Sequence, residues 1–160
     1  MPTLPPEWLP HFANGVSHRI GSCTAAGEPR ICIALAADVL DDGRVLVLLG
    51  ARTGRDVLAA VRETGQVALV LSQPMSHRTL HLKGSDAEVA AAEPTHAALL
   101  GTRLDSFVDA LAPFGFCREQ VASTWYAVRD NGLMTVRFTA TGAWNQTPGP
   151  GAGEAVGLRR

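Results

Sequence analysis

The chain has 160 residues, 46% hydrophobic and 18% charged, which fits one domain with a single core and excludes wholesale disorder. Fourteen Lys and Arg against fifteen Asp and Glu leave a formal charge of −1, which excludes a basic protein that wraps nucleic acid. Sixteen Gly and ten Pro, about a sixth of the chain, require many turns between short elements.

Residues 1–15 read as an arm or short helix closed by Asn14-Gly15. His18 to Ala25 is strand-like, Ala26-Gly27-Glu28-Pro29 is a turn, and Arg30 to Asp38 is a second strand. Asp41-Asp42-Gly43 signals a hairpin into a third strand, Arg44 to Gly50, which is apolar on both faces. The period then becomes helical: Thr53 stands as N-cap, Val57, Leu58 and Val61 follow, and Thr64-Gly65 stops the helix. Gln66 to Ser72 is a fourth strand. His77 to Gly84 is a fifth, running with an interruption to Val89. Glu93-Pro94 opens a helix that ends before Pro113, and Arg118 to Ser123 is a short helical turn. Asp130-Asn131-Gly132 leads into a sixth strand, Leu133 to Thr141.

The pattern predicts a mainly β protein with helices (α+β). Its six antiparallel strands are expected to close into a small barrel, because closure removes open edges. One domain is expected over 1–146, followed by a flexible Gly/Pro-rich tail over 147–160 with no regular structure.

Cys23, Cys32 and Cys117 are odd in number and form no CxxC pair. Three reduced, mostly buried thiols are expected rather than a disulfide framework or a zinc knuckle. The start, Met1 to Trp8, is broken by prolines and shows no targeting segment. The longest apolar runs fall far short of the ~20 residues of a membrane helix. The expected setting is cytoplasmic, away from membranes.

Gly50-Ala51-Arg52-Thr53-Gly54-Arg55-Asp56 places two guanidinium groups and a hydroxyl at a helix start. Unpaired N–H groups and the positive dipole end add to them, so the loop suits a phosphate monoester. The same residues also fit a plain helix cap with two solvated arginines. No GxxxxGK[ST] or GxGxxG motif is present. On a strand, His77, Thr79 and His81 would share one face, which fits a metal or haem edge, or simply a polar face. A third clustered ligand of the kind zinc needs is missing, so no metal site is expected. His11, His18 and His96 stand alone. Trp125-Tyr126 and Trp144-Asn145-Gln146 are aromatic–polar groups near the last strand, suited to packing on a core edge or to covering a planar ligand. No GxSxG elbow or paired carboxylates appear, and no catalytic residue is assigned.

From about Ser17 to Val89 the chain resembles the pyridoxamine 5′-phosphate oxidase-like, FMN-binding split-barrel family. The resemblance is carried by Gly27-Glu28-Pro29-Arg30-Ile31, Arg44-Val45-Leu46-Val47-Leu48, Arg52-Thr53-Gly54-Arg55, Gln66-Val67-Ala68-Leu69-Val70 and Arg78-Thr79-Leu80-His81-Leu82-Lys83-Gly84. The Trp144 to Pro150 end resembles short members of the family. The resemblance implies a six-stranded antiparallel split barrel, a homodimer with flavin sites at its interface, and FMN-dependent oxidation or reduction of a small molecule. It also implies that the backbone of Ile33, Ala34 and Leu35 flanks the flavin ring, with Leu48 and Leu49 opposite. Arg52, Thr53 and Arg55 would hold the phosphate, Arg78 and Thr79 would add contacts, and the partner chain would bring Trp144 and Gln146 over the ring. The tail lacks the basic–His pair of true pyridoxamine phosphate oxidases, so the resemblance does not extend to that substrate. A deazaflavin in place of FMN, a flavin held without catalysis, and a haem-binding or haem-degrading relative are the alternatives.

Overall fold

The computed structural model describes residues 3–13, 15–129 and 132–159, with residues 127–129 described by backbone only. Asn14, and Asp130 and Asn131 of the expected last turn, lie outside the described residues. Pro6–Trp8 makes a 3-10 turn into a short helix α1, Leu9–Ala13. Four strands follow: β1 (Ser17–Cys23), β2 (Pro29–Ala34), β3 (Ala36–Val39) and β4 (Val45–Gly50). Helix α2 (Arg55–Thr64) separates them from β5 (Val67–Ser72), β6 (Thr79–Gly84) and β7 (Glu88–Ala91). Helices α3 (His96–Leu111) and α4 (Arg118–Arg129) precede β8 (Leu133–Phe138) and β9 (Gly142–Asn145).

The strands form two antiparallel sheets, β2-β1-β5-β6-β9 and β3-β4-β8-β7. This is an α+β architecture, as expected, but nine strands stand among the described residues instead of six, and their pairing closes no barrel. The second expected strand divides at Leu35: Ala34 pairs with His18 in one sheet, and Ala36 pairs with Leu48 in the other. The break costs little, because the Leu35 N–H still donates to the Leu48 carbonyl at 2.8 Å and the side chain is sealed. The fifth expected strand divides into β6 and β7. The ninth, β9, is too short to announce itself by alternation.

Alternation along β1, β5 and β6 sends Ile20, Leu69, Leu71, Leu80 and Leu82 inward, where they meet Val45, Val47, Leu49, Val136 and Phe138 of the second sheet. The apolar stripe of α2, Val57, Leu58 and Val61, joins this core. Gly65 ends α2 at φ 66°, a left-handed stop that glycine adopts without strain, as its position predicts. The expected Thr53 cap does not form: Gly54 holds the N-cap place, with no side-chain capping bond. A smaller core of Leu35, Leu100, Leu104, Val121 and Trp125 lies under α3 and α4, and it makes the expected short turn at Arg118 a helix of 12 residues.

The Gly/Pro-rich end lies against the body. Asn145 N–H donates to Glu154 O, Val156 N–H to Ala143 O, and Thr3 and Arg159 exchange both backbone bonds. Val156 and Leu158 pack on the main core. Among the cysteines, Cys117 is exposed and Cys23 and Cys32 are half-buried, so the expectation of mostly buried thiols is corrected. Among the described residues, no helix is long and apolar enough to cross a membrane.

Candidate functional site

Strand β4 ends at Gly50 and the chain folds back on it, Gly54 N–H donating to Gly50 O at 2.9 Å. A Cβ at Gly54 would stand 2.5 Å from Leu49 Cδ1 and 2.9 Å from Gly50 O, so only glycine allows this approach. The tight return leaves Arg52, Thr53 and Arg55 exposed at the N-terminus of α2. Arg55 keeps 76% of its side chain in solvent, with Nε 3.3 Å from Asp56 Oδ1. Two guanidinium groups, a hydroxyl and the positive end of the helix suit a phosphate monoester such as that of FMN, although the Gly54 and Arg55 N–H groups already donate to Gly50 O and Arg52 O.

Ile33, Ala34, Leu35, Leu48 and Leu49 meet where the chain passes between the sheets. Ala34, Leu35, Leu48 and Leu49 are sealed inside, while Ile33 is 38% exposed on the outward face of the five-stranded sheet. Ile31, on the same face, is 74% exposed. That face continues over half-buried Gly21, Ala68 and Val70 and carries the exposed Arg19 between Ile33 and Val70, so it is mixed, with apolar residues around one guanidinium.

Arg78, Thr79, Trp144 and Gln146 gather elsewhere, at the opposite edge of the same sheet. Arg78 lies 4.3 Å over the Trp8 ring and donates to Glu7 O at 3.1 Å. Thr79 shares a 2.8 Å hydroxyl bond with Ser72, and its N–H donates to Thr147 Oγ1. Gln146 N–H donates to Thr79 O at 2.8 Å. Trp144 stands beside His81, ring centroids 5.6 Å apart, with Lys83 Nζ 5.4 Å from its ring. Four strand intervals separate β2 from β9, roughly 19 Å at about 4.8 Å each. One chain therefore does not bring Trp144 and Gln146 to Ile33.

The expected shared face of His77 and His81 is corrected. His77 lies in the turn before β6 with φ 56°, outside the strand alternation, and His81 alone keeps the outward position beside Trp144. Burial, then Lys83, pushes the His81 imidazole below its ordinary pKa. Among the described residues, no group of three His, Cys, Asp or Glu side chains is placed to hold a metal ion.

Two residues not assigned to the site by the sequence are chemically conspicuous. The His18 ring is 2% exposed, and neither ring nitrogen has a hydrogen-bond partner among the described residues. Burial, reinforced by Arg103, His11 and Arg19, pushes its pKa down to about 3, so the ring is neutral at pH 7. Trp125 is 6% exposed, with Nε1 likewise without a partner among the described residues. Both line a chamber of about 110 Å³ between β1, β2 and the α3–α4 pair. Alternation puts His18 on the inward face with Ile20, and this was the available signal; the helices that cover it are a tertiary fact.

The sequence matches no family model and no curated protein. Solved structures do match. HupZ of Group A Streptococcus aligns at TM-score 0.55 and 11% identity, over 94% of this chain and all of the other. An F420 reductase aligns at TM-score 0.54 and 13% identity, over 88% of this chain and 98% of the other. A Lactobacillus delbrueckii protein assigned as a pyridoxamine 5′-phosphate oxidase aligns at TM-score 0.53 and 17% identity, over 89% and 93%. At these identities the likeness is one of fold, and it covers most of the chain: the chain has the pyridoxamine 5′-phosphate oxidase-like fold.

Proposed function

We propose that the chain binds FMN as a homodimer and serves as an FMN-dependent oxidoreductase on a small-molecule substrate. The observation that carries this reading is the exposed Arg52, Thr53 and Arg55 group at the start of α2, in a fold shared with an F420 reductase. Arg52 and Arg55 bind the phosphate oxygens, Thr53 donates one more bond, and the N-terminus of α2 adds the positive end of its dipole. The uncovered face with Ile31 and Ile33 supports pairing of two copies. Pairing would bring Trp144 and Gln146 of one protomer to the Ile33–Leu35 segment of the other, a span that a single chain does not bridge. FMN, when bound, supplies hydride or electron transfer; the protein's part is to hold and orient it and to shield it from water. With His77 and His81 on different local backbones, the haem alternative loses the residue pair that suggested it.

The test is a titration of the protein with FMN and with riboflavin, which lacks the phosphate. Wild type is expected to prefer FMN, and Arg55→Ala to lose about tenfold in FMN affinity with riboflavin unaffected. Failure of wild type to bind either flavin refutes the reading. Turnover with a reduced nicotinamide and an electron acceptor separates an oxidoreductase from a protein that only holds flavin. Mass spectrometry of the molecule released on denaturation separates FMN from a deazaflavin.

A further inference from the structure

Three buried polar atoms belong to two side chains that wall one small space. His18 Nδ1, His18 Nε2 and Trp125 Nε1 have no hydrogen-bond partner among the described residues, and both side chains line the chamber between β1, β2 and the helices. Folded proteins leave few such atoms unsatisfied, and each costs about 1–3 kcal/mol when it is. The indole N–H only donates. A neutral imidazole donates from one nitrogen and accepts at the other. A hydroxyl oxygen accepts from the indole N–H and bonds one of the two imidazole nitrogens; those nitrogens point too far apart for one oxygen to serve both, so it satisfies two of the three atoms.

The surroundings limit what carries that hydroxyl. The chamber, about 110 Å³, is smaller than the ~150 Å³ cavity that admits benzene, so it takes the hydroxyl end of a ring and leaves the rest of the ring at its mouth. It shares Phe107, Thr124 and Trp125 with an adjoining groove of about 400 Å³ that runs over Leu111, Phe116 and Val121. Phe107 and Trp125 already form a tilted aromatic pair, centroids 5.1 Å apart, as one wall. A bridging water would satisfy the same two atoms, but it leaves the apolar groove unexplained. A cation is disfavoured by Arg19 on the chamber wall; an anion at the buried end is disfavoured because His18 and Trp125 there are neutral, Arg103 is paired with Asp38, and Arg19 is exposed to solvent.

We propose that this chamber and groove form a binding site for an uncharged phenol-type ring carrying an apolar tail, its hydroxyl set between His18 and Trp125 and its tail along Phe116 and Val121. Ile33, Ala34 and Leu35 wall this chamber and also belong to the proposed flavin site, so the test uses flavin-free protein, where phenol binding with a Trp125 signature is read apart from FMN binding.

The probe is 4-butylphenol, with butylbenzene as the partner that lacks the hydroxyl, titrated into the full chain by calorimetry and by NMR of the indole N–H signals. Trp125→Phe assigns the Trp125 signal. Expected are at least about tenfold tighter binding of 4-butylphenol than of butylbenzene, a shift of the Trp125 indole signal, and unmoved Trp8 and Trp144 signals. Thr124 is exposed on α4 while lining the chamber, so Thr124→Phe fills the entrance without entering the core and abolishes binding. His18→Leu brings the two affinities within about threefold of each other. Absence of binding, equal affinities in wild type, unchanged binding in Thr124→Phe, or a Trp125 signal that saturating phenol leaves in place overturns the proposal; the last result assigns the chamber a bound water only. If His18→Leu does not fold, Thr124→Phe and the indole signal decide.

Discussion

Replacing His18 by Leu removes a titration that ties the stability of the fold to pH. The ring is fully enclosed and its pKa is pushed from the ordinary 6.5 down to about 3, with burial the largest cause and Arg103 next. The unfolded chain therefore binds a proton near pH 6.5 that the native chain refuses until near pH 3. Stability from this group is complete above pH 6.5 and falls with acidification at about 1.4 kcal/mol per pH unit between the two values. Integrated from pH 7.5 to pH 5.0, the loss is about 2 kcal/mol, or about 6 °C in Tm for a chain of this length. His11 and His81 are pushed down as well, burial again leading, so wild type declines by more than His18 alone accounts for. The difference between wild type and His18→Leu isolates the one group. Urea unfolding at pH 7.5, 6.0 and 5.0 is the assay. At pH 7.5, Leu is expected to cost little or to stabilise, because it removes two buried nitrogens that lack partners. By pH 5.0 the variant should have gained about 2 kcal/mol relative to wild type. A difference that stays constant across this range refutes a neutral, enclosed His18.

Three further outcomes follow from the same contacts. Gly54→Ala forces a Cβ to 2.9 Å from Gly50 O, so a loss of about 1–3 kcal/mol is expected in thermal unfolding, together with weaker FMN binding as the Arg52–Arg55 loop shifts; unchanged values on both counts contradict the close approach. Deleting residues 154–160 removes the backbone bonds to Asn145, Ala143 and Thr3 and the packing of Val156 and Leu158. It should cost about 2–3 kcal/mol in denaturant unfolding, whereas a freely hanging tail would cost nothing. Ile31→Asp, at a site 74% exposed, should leave the far-ultraviolet circular dichroism and Tm of the chain intact while shifting sedimentation from dimer to monomer; a variant that sediments as wild type argues against this face as the dimer contact.

Much of the fold is legible along the chain because it rests on local signals. Alternation marks β1, β5 and β6, doubly apolar residues mark β4, a 3.6-residue stripe marks α2, and Gly65 stops that helix, each within a few residues of its observed place. The basic group at the α2 start is equally local: three side chains and a helix end adjacent in sequence stay adjacent in space. What failed to show needed distant partners. The division at Leu35 depends on which sheet each half pairs with, and hydropathy does not register it because both halves are apolar. Strand β9 and the placement of 153–159 depend on an edge offered by β6 and β9, against which even Gly- and Pro-rich backbone finds hydrogen bonds. His77 left the face of His81 because the turn after Pro74 takes a positive φ, a choice made by the loop and not by the strand pattern.

The sequence by itself therefore determined the α+β class, the antiparallel habit of the strands and the phosphate-suited loop, since each follows from neighbours within a few residues. The tertiary structure decided the two-sheet division, the roughly 19 Å between the Ile33 and Trp144 edges, and the enclosure of His18 with Trp125. Those depend on pairings between separate elements, from Ala36 against Leu48 to His18 beside Trp125, and only the closed core fixes such placements.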